Sequence, residues 1–208
     1  MDPQRRYLEL LLEANQAFNL TAITDPAEAW TKHIEDSLSL LPELTGVTGK
    51  VVDIGSGGGL PAIPLAIARP DLKFTLVEST AKKARFLADT ARALSLSNVR
   101  VESERAESLG QGPLRASFDV ATSRACARLP VLLELCIPLL KVGGRKLAIK
   151  GEQAALELDE ATRALQLLHA KLVSSRRTET GTVLRIDKHA ETARKYPRRA
   201  GEPKRTPL

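Results

Sequence analysis

The run Val51-Val52-Asp53-Ile54-Gly55-Ser56-Gly57-Gly58-Gly59-Leu60-Pro61 carries the densest chemistry in this chain. Short apolar residues end in an acid and a glycine-rich turn, and Ala62 to Ala68 continue as an apolar helical segment. That order predicts a strand, a tight turn and a helix N-terminus. The glycines let the backbone take positive φ and let a ligand approach the main chain with no Cβ in the way. The helix start points unpaired N–H groups at whatever sits there. This is the chemistry of a nucleotide-type ligand, and two ligands fit. Gly57-x-Gly59-x-x-Ala62 matches the Ala-ending dinucleotide fingerprint, whose pyrophosphate is anionic. Asp53-x-Gly55-x-Gly57 suits a nucleoside carrying an ammonium and a sulfonium, both cationic. Asp53 favours the second, because a pyrophosphate gains nothing from a carboxylate beside it.

The second spacing is that of the first motif of S-adenosylmethionine-dependent methyltransferases, with Asp53, Gly55 and Gly57 as its cofactor-binding residues. Glu78 closes the next strand, about twenty residues beyond the turn, where a carboxylate can accept both ribose hydroxyls. Both ligands require it. Ser79 and Thr80 can cap the following helix or meet the cofactor through their main chain. Ala106-Glu107 follow the third strand: a small residue leaves room for adenine, and a main-chain N–H or the Glu107 carboxylate could bind its polar edge. Arg124, in Ser123-Arg124-Ala125 at the end of the fourth strand, could hold the methionine carboxylate, a substrate phosphate or an ordinary ion-pair partner, since ligands gather at the C-terminal ends of parallel strands. No Asn/Asp-Pro-Pro-aromatic run occurs, which points away from exocyclic amines as acceptors. Cys126 lacks the adjoining proline expected of a C5-pyrimidine nucleophile, so a small buried role suits it better. His33, His169 and His189 show no metal-ligand spacing, and no metal is expected.

An alternating pattern must position these residues. Residues 1–46 read as a helical cap: Asp2 and Pro3 open an amphipathic helix over 3–17, and Asp25-Pro26-Ala27-Glu28 opens a second running toward Leu41. From 47 to 190, strands at 50–54, 74–77, 99–101, 118–122 and 146–150 alternate with helices at 62–69, 81–95, 129–140 and 152–169. Lys141-Val142-Gly143-Gly144 reads as a turn, and 171–177 with 182–187 as an antiparallel hairpin. The expected fold is α/β: a Rossmann-like seven-stranded methyltransferase sheet with a small N-terminal helical cap. Residues 191–208 form a basic arm in which Lys195, Arg198, Arg199, Lys204 and Arg205 are candidate phosphate contacts and Tyr196 a candidate stacking ring. A solvated tail is the alternative.

The 208 residues suffice for one such domain and a modest extension. Lys and Arg number 31 against 25 Asp and Glu, a net charge of +6, which suits a polyanion partner. Aromatic content of 3% leaves the core to Leu, Ala, Val and Ile. Met1-Asp2-Pro3 leads into no apolar leader, no apolar run reaches the ~18 residues of a membrane span, and two cysteines make no disulfide framework. A cytoplasmic protein with no membrane partner is expected.

Several stretches resemble the RsmG family, also called GidB. They are Asn19-Leu20-Thr21-Ala22-Ile23, His33-Ile34-Glu35-Asp36-Ser37-Leu38, Val52 through Pro61, Lys82-Lys83-Ala84-Arg85-Phe86-Leu87, Ser123-Arg124-Ala125 and Lys195-Tyr196-Pro197-Arg198-Arg199-Ala200-Gly201. The resemblance covers essentially the whole chain. Gly58 and Ala62 stand where many members have Ala and Gly, and Glu13-Ala14-Asn15-Gln16 lacks a Trp-Asn pair. The resemblance implies methyl transfer from S-adenosylmethionine to N7 of one guanine (guanine 527) in 16S rRNA. It implies cofactor contacts at Gly55, Leu60, Glu78, Ser79, Thr80, Ala106, Glu107 and Arg124. The expected partner is 16S rRNA or the small ribosomal subunit, met by a monomer. Guanine N7 has a free lone pair and no proton to lose, so no acid, base or covalent nucleophile is expected. The alternatives are a small-molecule methyltransferase, a non-catalytic rRNA-binding module and, against Asp53, a nicotinamide-dependent oxidoreductase.

Overall fold

Seven strands pair into one sheet in the order β3-β2-β1-β4-β5-β7-β6. The structure is a computed structural model and describes residues 2–124 and 126–208; Ala125 of the Ser123-Arg124-Ala125 motif and Met1 lie outside them. Strands β1 (Lys50–Ile54), β2 (Lys73–Val77), β3 (Val99–Glu102), β4 (Phe118–Arg124) and the last part of β5 (Leu140–Lys150) run parallel, while β6 (Ala170–Arg177) and β7 (Thr182–Lys188) add the antiparallel hairpin. β1 is buried along four of its five residues, as a strand covered on both faces must be. Successive side chains go to opposite faces. Val51 joins the core with Phe74 and Val120, and Val52 the core with Phe118 and Ala121. The strand order reverses between β1 and β4, so the C-terminal end of β1 is the crevice where α/β sheets bind ligands.

The cap covers the Val51 face. Asp2 accepts the Gln4 N–H at the start of α1 (Pro3–Asn15), whose Tyr7, Leu8 and Leu11 are buried there. Asp25 accepts the Glu28 N–H at 2.8 Å and starts α2 (Pro26–Ala29). The helix expected beyond it is present and runs unbroken from Pro26 to Leu38, but it is not α-helical throughout. The chain widens into a π-helical turn at Trp30–Glu35 before α3 (Asp36–Leu38) and a 3-10 turn at Leu41–Leu44. Such a widened turn often marks a functional position, and this one carries Lys32 and His33.

α4 (Ala62–Ala68) and α5 (Ala81–Ala93) stand where expected, and a short α6 (Ala106–Gln111) was not anticipated. The helix expected over 129–140 is α7 (Leu129–Cys136) followed by a 3-10 turn at Pro138, and that over 152–169 breaks at Ala161 into α8 (Ala154–Glu160) and α9 (Thr162–Leu167). The turn expected at 141–144 is a bulge inside β5: Phe118 pairs with Leu140 and Val120 with Arg145, so four residues loop out, Gly143 at φ +84°. No helix among the described residues is long and apolar enough to cross a membrane.

The C-terminal residues return to the Val52 face. Tyr196 is 5% exposed within that core, so its ring is closed to a stacked base. Arg198 meets fully buried Glu134 of α7: Nε donates to Oε1 at 2.8 Å, Nη2 to Oε2 at 2.6 Å, and its N–H adds a third bond at 2.8 Å. Its fork is therefore a structural clamp and not an open phosphate grip. Arg115 holds the carbonyls of Thr192 and Tyr196, and Gly201 donates to Glu107 ahead of a single turn, α10 (Glu202–Arg205).

Arg198→Ala leaves the Glu134 carboxylate buried without its cation. The expected loss is about 3 kcal/mol of unfolding free energy, read from urea unfolding, and an unchanged midpoint would show the clamp to be dispensable.

Candidate active site

The turn after β1 is held from three directions. The N–H groups of Gly55 and Ser56 donate to the Val77 carbonyl at 3.0 and 3.1 Å, and Gly59 N–H donates to Ser56 at 2.7 Å. The Tyr7 hydroxyl, fully buried on α1, donates to the Gly58 carbonyl at 2.8 Å. Gly55 sits at φ +70°, and a Cβ there would collide with Cys126 Sγ. At Gly59, φ +100°, a Cβ would come to 2.7 Å from Ile63 and 3.2 Å from the Tyr7 hydroxyl.

Asp53 lies behind this turn, 1% exposed. Its Oδ1 accepts the Thr122 hydroxyl at 2.7 Å, across the β1–β4 pairing, while Oδ2 has no partner. Burial, against the hydrogen bonds of Ser56 and Thr122, pushes its carboxyl up to about 6. Lys146 of β5, fully buried, donates to Ser123 Oγ at 2.6 Å, and burial lowers its pKa. An acid with one orphaned oxygen is stabilised in its charged form by a cation arriving at the turn. Closed off from direct contact, Asp53 would act on such a ligand through its field.

A cavity of about 230 Å³ opens at the ends of β1 and β2, with Gly55, Glu78 and Ala106 among its lining and Ile54, Val131 and Leu135 as apolar wall. That is room for a nucleoside portion, below the roughly 300–1,000 Å³ of larger ligand sites. Glu78 spans its edge: Oε2 accepts the Gly57 N–H at 3.0 Å and Oε1 the Thr80 N–H at 2.8 Å. Each oxygen keeps a lone pair for a ribose hydroxyl. Ser79 lines the cavity. Thr80 and Gly57 spend their N–H groups on Glu78 instead of a ligand. Leu60 is buried in the core beneath the cap. Ala106 lies where expected, and Glu107 lines the same cavity, its Oε1 accepting the Gly201 N–H at 2.8 Å while Oε2 keeps its acceptor capacity. These residues fit S-adenosylmethionine, with Glu78 for its ribose, Ala106 beside its base and Asp53 for its charge.

Cys126 and Ala127 form the wall shared with a second cavity of about 570 Å³, which Lys32, His33, Asp36, Arg124, Lys150 and Thr180 help to line. Cys126 is exposed as a residue, against the buried role expected for it, but its Sγ packs on Gly55 and the desolvation there pushes the thiol up to about 11, which does not suit a nucleophile. Arg124 reaches across to the cap. Its guanidinium donates to the Lys32 carbonyl, to Asp36 Oδ2 at 3.2 Å and to His33 Nδ1 at 3.0 Å. A guanidinium only donates, so Nδ1 accepts, and the His33 proton sits on Nε2, 2.7 Å from Thr21 Oγ1. Burial and then the Arg124 charge lower His33 to about 4, leaving it neutral. Asp36 Oδ1 accepts the Thr180 hydroxyl from the β6–β7 turn. Of this ring the sequence singled out Arg124 for binding and noted only polar crowding around His33. Asp36 was hidden in the same crowding, and Thr180 carried no local signal. Among the described residues no group of three His, Cys, Asp or Glu side chains could hold a metal ion.

The model of the GidB family, described as rRNA small subunit methyltransferase G, matches residues 3–184. A relative from Sorangium cellulosum (strain So ce56), named ribosomal RNA small subunit methyltransferase G, is 49% identical over 195 residues, covering 93% of this chain and 82% of its own. One of the same name from Lactobacillus delbrueckii subsp. bulgaricus (strain ATCC 11842) is 42% identical over 214 residues, covering 98% and 90%. The solved structure of a SAM dependent methyltransferase from Aquifex aeolicus superposes with a TM-score of 0.60 at 16% identity, over 79% of this chain and 94% of that one, a likeness of fold.

Tyr7→Phe removes one hydrogen bond from the turn. S-adenosylmethionine affinity should fall about fivefold, the worth of one neutral bond, with KM for RNA unchanged; calorimetry showing wild-type affinity would dismiss the clamp. Asp53, raised in the fold, contributes a cost to stability that grows as pH rises from about 4 to about 6. The cofactor's cation offsets that cost, so its affinity should climb through about pH 6 in the wild type and stay flat in Asp53→Asn. A flat wild-type profile would contradict the field assignment.

Proposed function

The chain belongs to the GidB family of rRNA small subunit methyltransferases, and from that premise we propose that it methylates N7 of one guanine in 16S rRNA. The observation that carries this reading is the pair of cavities at the C-terminal ends of the strands: one with Glu78 and Ala106 in its lining, the other larger and edged by charged side chains, with Cys126 and Ala127 common to both. Bound S-adenosylmethionine supplies an electrophilic methyl on a sulfonium. The N7 lone pair would take that methyl, the carbon–sulfur electron pair staying with sulfur and the positive charge passing to the purine. No proton departs, so no general base is required. The neutral His33, its Nε2 proton turned to Thr21 and its Nδ1 covered by Arg124, is consistent with that. What these residues contribute is position and exclusion of water. The guanine must leave its stack to enter.

On the C-terminal arm, Lys195, Arg199, Lys204 and Arg205 stay exposed, and Lys204 lies on the rim of the nucleoside cavity. They are the phosphate contacts in this reading, with the cap of residues 1–46 opposite, in a monomer acting in the cytoplasm without a metal. Labelled S-adenosylmethionine incubated with unmodified small-subunit RNA should place its methyl on one guanine N7; label on another atom, or on a small molecule alone, would replace the reading. Arg199→Glu with Arg205→Glu should raise KM for RNA and flatten its salt dependence by roughly one to two units of log K per log salt, with cofactor affinity unchanged. An unaltered salt slope would take the arm out of the RNA interface.

A further inference from the structure

We propose that Asp36 is the residue that selects guanine, an inference that rests on the N7 reading above. If N7 faces the Cys126–Ala127 wall, the Watson–Crick edge of the base points to the far side of the larger cavity. Guanine alone among the four bases presents two adjacent donors there, N1–H and N2–H. A carboxylate is the side chain that accepts both, and enzymes that extrude a base read it along this edge.

Two carboxylates line that cavity, Asp36 and Glu157. Both are ion-paired, but Glu157 Oε2 meets Lys150 Nζ at 2.7 Å and the Leu129 N–H at 2.6 Å on one oxygen, whereas Asp36 meets Arg124 at a longer 3.2 Å and has one partner on each oxygen. Asp36 is 6% exposed and held rigidly, Oδ2 by Arg124 and Oδ1 by Thr180. Each of its oxygens has taken one partner and keeps a second lone pair. The three elements that hold it are the cap, the end of β4 and the β6–β7 turn, so the carboxylate is pre-positioned by the whole fold. It also has a use during transfer. Methylation leaves the purine positively charged and its N1–H more acidic, so a carboxylate on that edge binds the transition state more tightly than the ground state.

The test is a cycle of two RNAs and two proteins. A small-subunit RNA fragment is prepared with guanine or with inosine, which lacks only the N2 amino group, at the target position. With S-adenosylhomocysteine present, the wild type should bind the guanine RNA at least about tenfold more tightly than the inosine RNA, as for one charge-assisted bond. Asp36→Asn should bind the two within about threefold while keeping its affinity for S-adenosylhomocysteine, and kcat/KM should follow the same pattern. Equal binding and turnover of both RNAs by the wild type overturns the assignment, whether or not the variant folds. So does an inosine penalty that persists undiminished in Asp36→Asn. A wild type that methylates neither RNA brings down the N7 reading and this inference together, whereas methylated guanine with no Asp36-dependent discrimination sinks the inference alone.

Discussion

A turn made of glycines gives a ligand room because it has no side chains, and for the same reason it cannot hold its own shape. Here the restraint comes from outside. The Val77 carbonyl takes two of its N–H groups, the Glu78 carboxylate takes a third and the buried Tyr7 hydroxyl fixes a carbonyl. These partners come from β2 and from the N-terminal cap. The cap is therefore part of the cofactor site, and its apolar burial beneath Tyr7, Leu8 and Leu11 is what keeps the turn open.

The substrate side is organised by a second chain of bonds, Thr21–His33–Arg124–Asp36–Thr180. It ties the π-helical turn of the cap to the end of β4 and to the terminal hairpin. His33 and Asp36 are buried and the other members half-buried, each bonded to the next, so losing one group leaves a neighbour's bond unmade. The two polar systems meet at Cys126 and Ala127, which line both cavities and in the proposed reading separate methyl donor from acceptor.

Much of this was legible in the sequence because it is local. Strands with continuous apolar runs, the acid-then-glycine turn, the Asp2 and Asp25 caps and the terminal hairpin each have a signature within a few residues. What was missed is long-range. Tyr196 and Arg198 sit in a run of Lys, Arg and Pro that reads as a solvated or RNA-gripping arm, and only the partner, Glu134, 64 residues away, makes Arg198 a clamp. Glu107 reads as an adenine ligand from its place after β3, and its tie to Gly201, 94 residues away, carries no local signal. Thr180 reads as a turn residue in any hairpin and becomes part of a site only when the sheet carries it to Asp36. The bulge at 141–144 was half legible: Gly143-Gly144 marks the departure of the chain, but not its return to the same strand.

In this reading a cationic nucleoside enters beside Gly55. The most direct measurement is a crystal structure grown with S-adenosylmethionine. It should show both ribose hydroxyls on Glu78 and Cys126 displaced from Gly55, joining the two cavities. A cofactor bound elsewhere, with Cys126 still packed on Gly55 and Glu78 bonded only to its own main chain, would contradict it.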